Sequence, residues 1–241
     1  MPATLTAPEP ATATTTTATA TTIVHVVPFS HLDLFWTGTR EECLSRGNYI
    51  IGHALDLLEE YPDFTFLIES VNFLDHYVRC HPADSPRIRK LATSGRLELA
   101  PLWSAIYQNL PGGETHARNT LLAKRYVKKH FGCDPDTAHF ADLPGYTPQY
   151  PQIAKLSGIR NVIMSRGGPK ETPLFAWQAP DGSRILSYYV VHGYPAFAMQ
   201  GHWHKDYEKM SAGPHQNTTG KYHRQQNPPR AHPLGLRSLR A

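Results

Sequence analysis

Ile23 to Trp36 reads IVHVVPFSHLDLFW, an apolar run that ends in an imidazole and a carboxylate two residues apart. Residues 23–29 have the make-up of a buried strand, and Ser30, His31, Leu32, Asp33, Leu34, Phe35 and Trp36 follow where that strand should end. Side chains at i and i+2 of an extended segment leave the backbone on one side, so His31 and Asp33 have metal-ligand spacing. The carboxyl ends of strands are also where α/β folds collect their ligands. Trp36 adds a flat apolar face nearby. The plainer alternative is that Asp33 caps a following helix and His31 is a polar loop residue. Asp142, further along the chain, weighs toward the first reading.

Outward from that stretch, helix and strand patterns alternate. Residues 37–47 are mixed and polar, and Asn48 then caps an amphipathic helix to about Tyr61, with Ile50, Ile51, Ala54, Leu55, Leu57 and Leu58 at helical spacing and Pro62 stopping the run. A short buried strand over Phe64 to Ile68 closes on Glu69. Its carboxylate suits either the N-terminal dipole of a helix over Val71 to Arg79 or a substrate contact. Ser85 and Pro86 open a helix that ends at Gly95, and Arg96 to Ala100 is the next strand. The long connection from Pro101 to Gly113 carries Trp103, Tyr107, Gln108 and Asn109, a mixture suited to sugar hydroxyls and ring faces, or simply to packing the loop down.

The second half continues the alternation. Glu114 to Phe131 is the longest helix, read with Leu121, Leu122, Tyr126 and Val127 toward the core and Gly132 just past its end. A strand over Thr137 to Ala141 delivers Asp142 into a Pro- and Gly-bearing turn, so a second carboxylate stands at the rim of His31 and Asp33. Tyr150 to Leu156 is a helix closed by Gly158, and Asn161 to Met164 a strand. Phe175 to Ala179 and Arg184 to Val191 flank Pro180-Asp181-Gly182-Ser183, a hairpin read as an elaboration of the core rather than another crossover. Regular alternation predicts parallel strands joined by right-handed crossovers, hence an α/β barrel or a doubly wound sheet.

Composition narrows the function classes. The 241 residues carry a net charge of +4, and Lys205, Lys209, Lys221, Arg224, Arg230, Arg237 and Arg240 stand against only Asp206 and Glu208 after Gly201. The body is therefore near neutral, and its cations alternate with acids along helices, so no nucleic-acid-binding face is expected. Cys43, Cys80 and Cys133 form no CxxC pair, which argues for reduced thiols and against a thiolate zinc site. Residues 1–22, built from Ala, Thr and Pro, fit neither a signal peptide nor a membrane span and are expected to form a disordered leader. Residues 198–241 lack periodicity and are expected to form a disordered basic tail. A cytoplasmic location follows as the expectation.

Three segments together resemble the N-terminal catalytic domain of glycoside hydrolase family 38, the α-mannosidases. They are SHLDLFW at Ser30 to Trp36, GRLELAPLW through QNLPGGET at Gly95 to Thr115, and ADLPGYTPQYPQIAKLSGI at Ala141 to Ile159. The resemblance spans about Ile23 to Tyr194, and their order and spacing make it more specific than any one motif. It implies a parallel seven-stranded β/α barrel over residues 23–197, incomplete at its C-terminal end. It further implies a zinc or similar divalent ion held by His31, Asp33 and Asp142, Asp142 doubling as catalytic nucleophile, and Trp36 as the stacking platform under the sugar.

The implied chemistry is retaining hydrolysis of terminal α-mannosyl linkages, with an α-mannoside or oligosaccharide as substrate. The family's fourth metal ligand and its general acid find no matching segment; His202 or His204 could stand in for the ligand. A fragment with impaired turnover is therefore expected. Two other readings remain open on the residues: a non-catalytic metal- or carbohydrate-binding remnant, and a metal-dependent carbohydrate deacetylase, which usually asks for further histidines one turn apart.

Overall fold

A computed structural model describes residues 27–169, 172–190 and 193–194. The expected leader, the expected basic tail and both His202 and His204 lie outside the described residues, as does most of the first expected strand. What remains of that strand pairs in parallel through Phe29 with Leu67.

Helix α1 runs Arg40–Glu60 and starts a full two turns before Asn48. Its true cap is Thr39, whose hydroxyl accepts from the Glu42 backbone N–H at 3.3 Å while the Glu42 carboxylate accepts from the Thr39 N–H at 2.6 Å. This reciprocal capping box satisfies two orphan donors. Gly47, the last residue of the stretch read as mixed and polar, sits inside the helix, where a Cβ would fall 2.5 Å from the Phe73 ring. Glycine lets α1 approach α2, Val71–Cys80, closely.

Between them lies β1, Phe66–Ile68, which pairs in parallel with β2, Leu97–Leu99. A 3-10 turn over Pro82–Asp84 leads into α3, Ser85–Thr93, and the chain reverses at Gly95 with φ 75°. Helix α4 spans Gly113–Phe131 and ends on Gly132 in the left-handed conformation, φ 77°. Its buried stripe is His116, Thr120, Ala123, Val127 and Phe131. Leu121 and Leu122, read as core residues, are exposed instead, because they lie on the flank of the helix away from that buried stripe.

The second sheet has the order β3-β4-β6-β5, from Thr137–Phe140, Asn161–Met164, Arg184–Tyr189 and Leu174–Gln178, with α5, Tyr150–Leu156, between β3 and β4. β3, β4 and β6 are mutually parallel, and β5 runs antiparallel along the edge of β6. The hairpin is therefore only half an elaboration: β6 belongs to the parallel set and β5 alone is added. Asp181 shapes the turn, its carboxylate accepting from the Ser183 N–H at 3.0 Å, while Gly182 takes φ 84°.

The architecture is α/β with parallel strands in both sheets, but β2 and β3 are not paired, and among the described residues the sheets do not close into a seven-stranded ring. Two cores follow. One packs α1–α4 on β1 and β2; the other fills the space among β3, β4, β6 and α5 and takes in Leu102 from the loop after β2. No helix among the described residues is long and apolar enough to cross a membrane.

Candidate active site

Parallel strands send their carboxyl ends to one rim, and the chemistry-bearing residues sit there. His31 and Asp33 follow the Phe29 bridge, Glu69 follows β1, Asp142 follows β3, Arg166 follows β4 and Tyr194 follows β6. His31 and Asp33 are brought together, with Nε2 of the imidazole 3.4 Å from the Asp33 carboxylate. Neither behaves as the plainer reading supposes: α1 is capped by Thr39, not Asp33, and the His31 ring is mostly buried.

Glu69 holds the other side of that ring. His31 Nδ1 lies 2.7 Å from Glu69 Oε2, and Glu69 Oε1 accepts the Ala141 backbone N–H at 3.1 Å. The carboxylate is 3% exposed, and it does not cap α2, whose first N–H groups are taken by the Leu102 and Trp103 carbonyls. Burial alone would push the Glu69 carboxyl up, but His139 and His31 beside it hold it down to about 2. Burial likewise opposes charge on His31, yet its bond to Glu69 and the carboxylates of Glu69, Asp33 and Asp142 raise its pKa.

Asp142 stands close enough for its charge to be felt at His31 but is engaged by other groups. One oxygen pairs with the Arg166 guanidinium, and the other accepts from the Tyr194 hydroxyl at 3.3 Å. The Tyr194 ring in turn lies 5.5 Å from that of His31. Among the described residues no three His, Cys, Asp or Glu side chains converge as a metal cage. Arg166 and Tyr194 went unremarked in the sequence. The signal for Arg166 was its position directly after a strand ending in Met164 and Ser165, the same placement that singles out Asp142.

The donor set nonetheless fits a zinc-like ion. One imidazole and two carboxylates are ordinary ligands for it. A ligating histidine also needs its second nitrogen bonded to a carboxylate or carbonyl, which is what Glu69 supplies to His31.

Trp36 is 78% exposed, an indole face with nothing packed on it, and the chain reaches it through Phe35 at φ 66°. A bulky residue in the left-handed region is strained, and such strain tends to persist at ligand-facing turns. The loop after β2 divides its residues between roles. Gln108 is buried and accepts the Thr147 N–H at 3.2 Å, and Trp103 stands edge-on to Tyr126 at 5.8 Å, so both pack the loop. Tyr107 is exposed.

Known proteins are similar to this chain over most of its length. Human alpha-mannosidase 2C1 is 28% identical over 188 residues, covering 74% of this chain and 18% of its own length. Alpha-mannosidase G of Dictyostelium discoideum is 26% identical over 174 residues, covering 70% of this chain and 16% of its own. The chain thus spans less than a fifth of the length of these relatives. In structure, an alpha-mannosidase from Enterococcus faecalis V583 superposes with a TM-score of 0.67 at 25% identity, over 73% of this chain and 21% of the other. The 4-alpha-glucanotransferase of Thermococcus litoralis shares the fold at a TM-score of 0.56 and 18% identity. Residues 21–233 match the model of the glycosyl hydrolases family 38 N-terminal domain, past Tyr194 where the motif resemblance stops, and on that match the chain belongs to family 38.

Proposed function

We propose that residues 23–197 form the catalytic face of a zinc-dependent retaining α-mannosidase, part of a seven-stranded β/α barrel, acting on terminal α-mannosyl linkages. The observation that carries this reading is that His31, Asp33 and Asp142 all follow strand ends on one rim, with His31 beside Asp33 and already bonded through Nδ1 to the buried Glu69 carboxylate.

His31, Asp33 and Asp142 would hold the ion, which when bound supplies a positive centre for two neighbouring sugar hydroxyls, such as those at C2 and C3 of mannose. The remaining work falls to the chain itself. Asp142 is the nucleophile: one carboxylate oxygen attacks the anomeric carbon, the bond to the leaving oxygen breaks, and a mannosyl ester on Asp142 results, which water then hydrolyses with overall retention. Arg166 and Tyr194 fix the direction of that carboxylate, each taking one of its oxygens. Trp36 offers its exposed ring as the platform for the apolar face of the sugar.

An aryl α-mannoside with a good leaving group tests the nucleophile while asking little of a proton donor. The 241-residue chain should release the phenol, and Asp142→Asn should slow release by at least about a thousandfold. A fluorinated mannosyl donor that accumulates the ester should leave its mass on the peptide bearing Asp142. Turnover unaffected by Asp142→Asn, or a label on another residue, would remove the assignment.

A further inference from the structure

Glu69 is not a ligand in the reading above, yet it makes the contacts that hold the rim together. Its two oxygens are used on two different segments, one on His31 Nδ1 at 2.7 Å and one on the Ala141 N–H at 3.1 Å, immediately before Asp142. β2 and β3 are unpaired, so among the described residues no continuous sheet connects the strand before Glu69 to the strand before Asp142. We propose that Glu69 is a positioning residue that locks His31 as the Nδ1–H tautomer and ties that ring to the carboxyl end of β3, which Asp142 follows.

A carboxylate only accepts. The backbone N–H of Ala141 can only donate, so Glu69 Oε1 is committed to it, and Oε2 must receive its hydrogen from His31 Nδ1. In the neutral ring Nε2 then keeps its lone pair, directed to the side of Asp33. Glutamine has nearly the same shape but one acceptor and one donor. Its oxygen must stay with Ala141, its NH2 then faces His31 Nδ1, and the ring answers by moving its proton to Nε2, where it blocks the position that a ligand needs. His139 does not rescue the arrangement: its Nδ1 lies 3.4 Å from Oε1 and makes no hydrogen bond.

The tautomer is a property of the chain alone, whereas its effect on an ion rests on the function proposed above. The test is nitrogen-15 NMR of the imidazoles in the metal-free 241-residue chain, followed upward in pH until the His31 signals stop shifting, with His31→Gln to assign the signal. Zinc affinity is measured in parallel by competition with a chromogenic chelator. The expected wild-type spectrum shows His31 protonated at Nδ1. Glu69→Gln should shift the proton to Nε2 and weaken zinc by about 10- to 100-fold. A residue that merely filled space would lower stability without moving the proton. A wild-type His31 protonated at Nε2 overturns the proposal even if the glutamine variant fails to fold, and so does a folded variant that keeps the Nδ1–H form. A wild-type chain with Nδ1–H that takes up no zinc leaves Glu69 in its role and overturns the metal reading instead.

Discussion

The two halves of this molecule are built from different materials. In the first, β1 and β2 are three residues each, and α1 to α4 supply most of the buried side chains, including Leu55, Leu58 and Leu74, which are fully buried. In the second, a four-stranded sheet carries most of the core, with α5 beside it. Between β2 and β3 there is no strand pairing, and a cavity of about 200 Å³ lined by Leu97, Glu98, Leu99 and Cys133 to Asp136 opens at that seam. The rim bearing His31, Asp33 and Asp142 takes residues from both sides of that seam, at the carboxyl ends of the strands. The difference teaches that side chains rather than sheet hydrogen bonds register one half against the other. Glu69 reaches Ala141, Gln108 reaches Thr147, and Lys124 reaches the carbonyls of Pro135 and Gly158.

The comparison breaks most readily in the helical half. Leu55→Ala empties a site where nothing is exposed and should cost about 2–5 kcal/mol in urea unfolding. A cost below about 1 kcal/mol would show that the helices do not carry that core. Next comes the seam itself. Gln108→Ala strands the Thr147 N–H and should cost about 1–3 kcal/mol, read from the same unfolding curves. An unchanged midpoint would mean that the Gln108 contact registers nothing.

Tyr150 sharpens the contrast from the other side. Its hydroxyl is buried without a partner, although its ring stacks on Trp177 at 5.9 Å and meets Phe140 edge-on at 5.1 Å. Tyr150→Phe should therefore leave stability unchanged or raise it slightly, by about 0.5 kcal/mol or less; a clear loss would reveal a bond to that hydroxyl. The smallest effect belongs to Glu98 at the seam cavity, where burial and the nearby Asp136 carboxylate raise its pKa. A carboxyl that ionises less easily when folded destabilises the native state above its folded pKa and not below the unfolded one. Glu98→Gln should thus raise the melting temperature slightly at pH 7, with the gain fading as pH falls toward 4.5, the ordinary carboxyl value.

Much of this was legible in the chain. Tyr150–Leu156 and Asn161–Met164 fall where pattern and glycine placed them, because short elements bounded by Pro and Gly have few alternatives. His31, Asp33 and Asp142 were visible from their places after strands. The misreadings have physical causes. The Thr39–Glu42 capping box was present in the sequence, but residues 37–47 are mixed and polar, and the place of Gly47 inside the helix depends on Phe73 packing from another helix. Leu121 and Leu122 fit a core stripe by hydropathy, but the helix buries the stripe beginning at His116 instead, packed on α3 and the first core, a tertiary contact that local pattern does not encode. Glu69 was noticed as an acid at a strand end, yet its partners lie 38 and 72 residues away, a separation that local pattern does not encode.

The most direct test of the central claim is zinc content by elemental analysis of the purified chain beside Asp33→Asn and Asp142→Asn, each checked for native unfolding behaviour. One zinc per wild-type chain, with most of it lost from both folded variants, is the result expected of a site shared by His31, Asp33 and Asp142. A metal-free wild-type chain, or an Asp142→Asn variant that keeps its zinc, would contradict it.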